Sequence, residues 1–378
     1  MGDPELLGYL LGASALAVLA TWIAPRGARN ALQALCGIGF LAAVSPVSLA
    51  WLGGYSLMSF VITTRFAKVR GLTATAITLI AASYLGWLLN RTPADIAGSG
   101  MTLPLGMAFY SLRLIHYLAE SAKAALPPHR LDELLAYQFF CATLPVGPIH
   151  RFGEFARDLR RRRWDSAEFS SGLERILYGL LKLIVVGNYA IQQKLAPWLT
   201  GVAAQDGIGG LYASALLLWL PLFVYFSAYS DLALGFGKLM GFKLRENFNH
   251  PYLATNIADF WQRWHISLAS WCRDYVYTPV LALTRSTVIS VTAAMLILGL
   301  WHELSMHYVL WGLYHGLGIA AYRRIVATRP RRAQPRLRLW DRALRVGSIL
   351  LTLHFVLFSF AVTAAVELWL RGALTQLH

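Results

Sequence analysis

Asp259-Phe-Trp-Gln-Arg-Trp-His-Ile-Ser-Leu-Ala-Ser-Trp-Cys-Arg-Asp-Tyr-Val-Tyr277 is the stretch on which the reading of this chain turns. Trp261, Trp264, Leu268, Trp271 and Tyr275 recur at spacings of 3, 4, 3 and 4, which predicts one helix with an aromatic stripe. The same stretch carries Asp259, Arg263, Arg273 and Asp274. At roughly 3 kcal/mol each near mid-bilayer, four such charges would cost on the order of 12 kcal/mol in a lipid-facing span. The segment is therefore either an interfacial amphipathic helix or a helix buried in protein beside a polar cavity. His265 falls beside the stripe, on a face shared with Gln262, Ala269 and Cys272, where small neighbours leave room for a substrate.

What surrounds this stretch is hydrocarbon-like. The chain has 378 residues, 57% of them hydrophobic and 14% charged, with a mean hydropathy of +0.50. Such values point to lipid as the folding solvent. Leu6–Ala24, Gly71–Leu89, Gly209–Phe236 and Leu344–Leu370 are long enough to span, a crossing needing roughly 20 apolar residues. The first of these reads as a retained span, because Asp3 and Glu5 stand where a cleaved signal would be basic.

The formal net charge of +15 lies in short loops between apolar runs, the pattern of cytoplasmic loops, and calls for no nucleic-acid partner. Basic loops at Arg26–Arg29, Arg65–Arg70, Lys123–Arg130, Arg151–Arg163, Lys238–Arg245 and Arg323–Arg345 require an even number of crossings between neighbours. The run after Arg29 divides at Ser45-Pro46 into two spans; Gly71–Leu89 leaves and Leu103–Ala119 returns. Leu131–Ile149 has basic loops on both sides and contains Leu144-Pro-Val-Gly-Pro148, so it is expected to be re-entrant, with its irregular backbone buried in protein. The pairs 172–192 with 209–237 and 287–303 with 305–323 follow, and a last span, 344–370, puts His378 outside. The expected architecture is an all-α, polytopic single domain over residues 1–378, with about ten spans and two intramembrane pieces that do not cross. Cys36, Cys141 and Cys272 lie in apolar segments without paired or metal-like spacing and read as packing residues.

Gly299-Leu-Trp-His-Glu303 ends another apolar run, and an intramembrane His-Glu pair is a candidate functional site. His302-Glu303-Leu-Ser-Met-His307 imitates a zinc-protease helix. Its histidines are five apart, however, which on one helix sets them about 140° apart and off a common face. Gly235-Phe-Gly-Lys-Leu-Met-Gly241 has the wrong spacing for a dinucleotide loop and follows no strand. His307, Trp311 and His315 share one helical face and suit interhelical hydrogen bonds. Asp231, inside an apolar run, is expected to pair with a buried arginine or another donor group; Arg263 and Arg273 are the candidates by sequence. The run Arg160–Arg163 reads as a topology determinant resting on anionic headgroups.

Taken in order, these segments resemble a known family. Tyr229-Ser-Asp-Leu-Ala-Leu-Gly-Phe-Gly-Lys-Leu-Met-Gly241 leads into Glu246-Asn-Phe-Asn-His-Pro-Tyr-Leu253, Asp259–Leu268 and Arg273-Asp-Tyr-Val-Tyr277. Gly106-Met-Ala-Phe-Tyr110, Ile115-His-Tyr-Leu118, Leu144–Arg151, Gly299–His302 and Trp311-Gly-Leu-Tyr-His-Gly316 complete the pattern. Over residues 103–323 the chain resembles the membrane-bound O-acyltransferases, in the bacterial branch of alginate O-acetylases and teichoic-acid D-alanyl transferases. The resemblance implies a ring of transmembrane helices around a central tunnel with tilted and re-entrant segments inside, in a multi-pass protein of the bacterial cytoplasmic (inner) membrane. It also implies that His302 is catalytic and that His265 is the second polar residue of the centre. Glu303 departs from the branch, which usually has glycine after that histidine.

The implied reaction moves an acyl group from a thioester to a hydroxyl, for which a histidine of ordinary pKa near 6.5 is a suitable base. The expectation is that His302 takes the acceptor proton while His265 polarises the carbonyl or positions the acceptor. The donor, acetyl-CoA or an acyl-carrier protein, is a substrate, and no cofactor is expected to be permanently bound. Expected partners are the bilayer, this donor and an extracytoplasmic acyltransferase or esterase-like protein. The leading expectation is acetylation of an extracytoplasmic polysaccharide or cell-wall glycan, with D-alanyl transfer from a carrier protein as the alternative. A transporter would be a different class and is expected to show inverted repeats; no such symmetry is visible in the sequence.

Overall fold

The structure is a computed structural model describing residues 4–90, 106–205, 207–328 and 338–375. Among these, every regular element is helical, and β pairing is confined to a single bridge between Phe248 and Trp264. Backbone contacts divide the chain into two compact units, Met1–Ile191 with Phe223–Glu246 and Gln192–Leu222 with Asn247–His378.

The first unit begins with α1 (Pro4–Ile23), α2 (Arg29–Val44), α3 (Pro46–Arg65) and α4 (Arg70–Asn90). The Ser45-Pro46 signal divides α2 from α3 as expected, with the Ser45 hydroxyl accepting from Ser48 N at 3.3 Å. That bond satisfies one of the donors a helix start leaves unpaired, and the proline at the first helical position lacks such a donor. The expected span from Leu103 is α5 (Met107–Ala122), its first residues, 103–105, lying outside those described.

Leu131–Ile149 does not form a span. It is α6 (Leu131–Gln138), a turn of 3₁₀ helix at Cys141–Thr143, and a buried extended loop to Arg151. Eight helical residues reach only about 12 Å at 1.5 Å per residue. The backbone of Phe139 lies where a Cβ on Gly37 would be, so α2 meets this segment at van der Waals distance. Next come α7 (Phe152–Arg161) and α8 (Ser166–Leu180), the latter continuing as a π-helical stretch, Leu181–Leu195, before α9 (Ala196–Ala203). Helix α10 (Ile208–Leu239) follows, and its second half packs on α8 through Gly172, Gly179 and Gly235.

In this unit one side-chain assignment changes and another gains a second role. Asp231 pairs with Arg175 and Lys182, each at 2.6 Å, and not with Arg263 or Arg273, which bind Asp259 and Asp274. Arg175 lies on α8 and Lys182 on the π-helical stretch that continues it, both outside the motifs from which the candidates were drawn. In the basic run, Arg160 holds Glu133 through two bonds of 2.7 and 2.9 Å. Arg162 donates to Gln33 and Asn30. Half of that run therefore ties helices together.

In the second unit, the predicted helix 259–277 is broken. Helix α11 (Ile257–Arg263) stops, Trp264 is extended, and His265 takes a left-handed conformation at φ 45°, ψ 51° before α12 (Ile266–Cys272). A π-type turn, Arg273–Tyr277, then leads into α13 (Thr278–Thr284). The segment is buried, not flat at a surface: Phe260, Trp261, His265, Leu268, Trp271 and Cys272 are each at most 9% exposed. Helices α14 (Thr287–His302) and α15 (Met306–Thr328) form a close hairpin. The expected last span is two helices, α16 (Arg338–Leu357) and α17 (Ser359–Thr375), bent by 42° at Phe358.

Among the described residues, four helices are long and apolar enough to cross a membrane, α1, α3, α4 and α10, or five if the bent pair counts as one span. Two further apolar helices, α2 and α14, have 16 residues each.

Candidate active site

The site lies in the second unit and is built by two backbone devices. The first holds His265. Residues 247–249 run alongside the break at 263–266, with Ile266 N donating to Asn247 O at 3.0 Å and Asn249 N to Arg263 O at 2.9 Å. The buried Ser267 hydroxyl donates to the Asn247 side chain at 2.6 Å. Trp264 is clamped between Phe260 and Trp219, at 5.6 and 5.8 Å, with Phe248 edge-on at 5.1 Å. Left-handed backbone is costly for a residue with a Cβ, and such strain persists where surrounding contacts over-determine it. Here they do.

The second device is the α14–α15 hairpin. Helix α14 ends at His302, and Glu303 to Ser305 make the turn. A Cβ on Gly299 would overlap the carbonyl oxygen of Tyr308, one on Gly312 would lie 2.8 Å from Met295 O, and one on Gly316 2.8 Å from Thr292 Cα. Small residues four apart let two helices approach this closely. His307 thus belongs to a different helix from His302, beside Glu367 and Phe360. That turn separates the two rings for a reason other than the one-helix geometry expected.

Trp301 joins the devices. Its ring lies 6.1 Å from that of His265 and 4.7 Å from that of His302. His265 is 3% exposed, whereas His302 stands open to its surroundings, stacked on Tyr308 at 5.7 Å. The structure brings the two predicted histidines to one indole and gives them unlike environments. Behind them, Trp261 Nε1 donates to His315 Nδ1 at 3.4 Å, tying α11 to α15 as the spacing of His315 led one to expect. Trp311 packs on His315 at 4.5 Å and donates to Ser359 at 3.2 Å. That last bond fixes α17 at the bend.

Alongside α12 lies a cavity of about 270 Å³. Gln262, Ala269 and Cys272, grouped by sequence beside His265, all line it, as does Ile266, the residue after His265. Its further walls are apolar, among them Ala294, Met295 and Leu298, and Arg273, Tyr277 and Arg323 also border it. Sequence reading missed Arg323 and Tyr277, whose guanidinium–ring contact of 5.7 Å brings together residues 46 apart. A buried imidazole, an open imidazole and an apolar chamber suit chemistry that carries an acyl group and moves a proton.

The profile of the membrane-bound O-acyltransferase family matches residues 47–361. The chain belongs to this family. Among curated relatives, an alginate O-acetylase of Pseudomonas aeruginosa is 32% identical over 247 residues, covering 62% of this chain and 45% of its own length. A teichoic acid D-alanyltransferase of Bacillus subtilis is 30% identical over 277 residues, 68% of each protein. A peptidoglycan O-acetyltransferase of Helicobacter pylori is 29% identical over 259 residues, 59% of this chain and 48% of that one. The matched region spans about half the length of the alginate O-acetylases. As a family member with apolar helices of spanning length, this is a membrane protein.

Proposed function

We propose that this membrane-bound O-acyltransferase transfers an acyl group, in the first instance acetyl, from a cytoplasmic thioester to hydroxyls of an extracytoplasmic polysaccharide or cell-wall glycan. The observation that carries the chemistry is that the rings of His265 and His302 both lie against Trp301, with Ile266, the residue after His265, on the wall of the chamber along α12. The open ring of His302 takes the acceptor proton as the hydroxyl oxygen attacks the thioester carbonyl. Collapse of the tetrahedral intermediate breaks the carbon–sulfur bond, and the proton passes to the departing thiolate. His265, fixed by its strained backbone, donates a hydrogen bond to the carbonyl or orients the acceptor, and preorganised donors of this kind lower the barrier most. The acyl end of acetyl-CoA or of an acyl-carrier protein lies in the chamber. It acts as substrate, with no permanent cofactor.

The proposed surroundings are a ring of about ten membrane-crossing helices around a tunnel in the bacterial inner membrane. Arg160–Arg163 would face the cytoplasm, and an extracytoplasmic acyltransferase or esterase-like protein would receive the group. Arg329–Arg338, expected on the same side, falls largely outside the described residues, as does His378. D-alanyl transfer from a carrier protein is the second reading, favoured by the 68% coverage shared with the Bacillus subtilis enzyme.

The test uses purified protein, labelled acetyl-CoA and labelled D-alanyl carrier protein in parallel. Loss of a general base typically costs 10²–10⁴ in rate, so His302→Gln should lose about that much with an unchanged melting temperature. Wild-type rates in that variant would make His302 a packing residue. Turnover of the D-alanyl carrier alone would select the second reading.

A further inference from the structure

In the first unit, Arg113 on α5 is 1% exposed, and no carboxylate meets it among the described residues. Its Nη1 donates to Thr143 Oγ1 at 3.1 Å and, more weakly, to Tyr137 O at 3.4 Å. The guanidinium also lies 5.9 Å from the centre of the Tyr137 ring. Nε and Nη2 are buried and find no acceptor among the described residues. Those two nitrogens form one edge of the guanidinium, the edge that grips two coplanar oxygens.

The same unit shows what that edge does elsewhere. Arg160 holds both oxygens of Glu133 through Nε and Nη2, and Arg245 holds both oxygens of Glu154 in the same way. Both of those arginines are partly exposed, at 43% and 35% of their side chains, yet each has a carboxylate. The more deeply buried Arg113 has none. A buried cation without a partner is far more costly than an exposed one, and unmade hydrogen bonds add to the cost. Gln138, next to Tyr137 and fully buried, leaves both amide atoms without protein partners, and His150 leaves its Nε2 so. His150 also accepts the Tyr137 hydroxyl through its carbonyl, at 2.8 Å. Arg113 and His150, both buried with spare capacity, thus meet at Tyr137.

We infer that the Nε/Nη2 edge of Arg113 is a binding site for a small oxyanion, a carboxylate or a phosphate group. Arg113 touches both ends of the 137–143 segment, so a bound anion locks α5 to that segment. Both nitrogens are sealed from bulk solvent, so the anion enters by displacing covering side chains and exchanges slowly.

The experiment is thermal unfolding of the purified full chain in detergent, followed by tryptophan fluorescence. Succinate and inorganic phosphate are each titrated at constant ionic strength, with chloride as the reference. A saturable rise in melting temperature with either anion is expected, its identity separating carboxylate from phosphate as the source. Arg113→Gln should abolish the rise and, in chloride alone, unfold no earlier than wild type, since it removes an unpaired buried cation. Arg113→Lys keeps the charge without the two-donor edge and should weaken the apparent affinity at least tenfold. An unchanged response in Arg113→Gln, or no saturable response to either anion in the wild type, would overturn the assignment.

Discussion

Replacing His265 by glycine and by alanine tests the break in the 257–272 segment in a single comparison. Both substitutions delete the same buried ring and leave the same space, so the transfer and cavity terms largely cancel between them. What remains is the backbone. At φ 45° and ψ 51° a residue with a Cβ carries about 1–2 kcal/mol of left-handed strain, which glycine escapes. Against this, glycine loses about 0.5–1 kcal/mol more chain entropy than alanine. The difference leaves His265→Gly more stable than His265→Ala by up to about 1.5 kcal/mol. In a continuous helix the sign reverses, and alanine wins by about 1 kcal/mol. Chemical or thermal unfolding of the two variants in the same detergent reads that sign directly. Both should be inactive or nearly so, which shows that stability and catalysis part at this residue. Alanine more stable than glycine would mean that one helix runs through His265, as the aromatic stripe alone suggests.

Three other outcomes follow from the packing and the ion pairs. Gly316→Val would drive a side chain into Thr292 Cα and should cost about 1–3 kcal/mol by overpacking, with activity lost together with hairpin stability; full activity would show the α14–α15 spacing to be irrelevant to the site. The hydrogen bond from Arg160 holds the Glu133 carboxyl below the ordinary carboxylate range. Its stabilisation is therefore complete above the unfolded value near 4.3 and is lost as pH falls through the lower folded value. Glu133→Gln should accordingly flatten the acid limb of the stability profile below about pH 4.3, and an unaltered limb would remove the pair from the account. Asp231→Asn leaves Lys182 and Arg175, both partly exposed and the latter still paired with Glu246, facing a neutral amide and should destabilise by about 1–3 kcal/mol, whereas Arg263→Gln, remote from Asp231 in the ion pairing, should not mimic it.

Much of this organisation was readable in the sequence because it rests on local chemistry. Ser45-Pro46 marks a helix start whatever surrounds it, and Gly299-Leu-Trp-His302 marks where an apolar helix meets polar chemistry. The grouping of Gln262, Ala269 and Cys272 on one wall survived because α11 and α12 each keep helical spacing on their side of the break. The break itself was hidden. Periodicity records which side chains face inward, but it cannot register a left-handed residue imposed by bonds from Asn247 and Asn249. Phe358 is similarly silent, with no proline or glycine at the bend between α16 and α17; its marker is the bond from Trp311 to Ser359, a residue 48 positions away. The partner of Asp231 was misread because nearness in sequence motifs stood in for nearness in space.

The bonds that shape His265 all close within a single stretch. Residues 247–249 and 263–267 lie about twenty positions apart, and a loop of that length is cheap to close. Together with Trp219, which precedes it in the chain and stacks on Trp264, the stretch therefore carries its own template: it can take its bent form as soon as it leaves the ribosome and enters the membrane, before α14 brings His302. Evolution could then change the distant helices, and with them donor, acceptor and partner, without redrawing the geometry at His265.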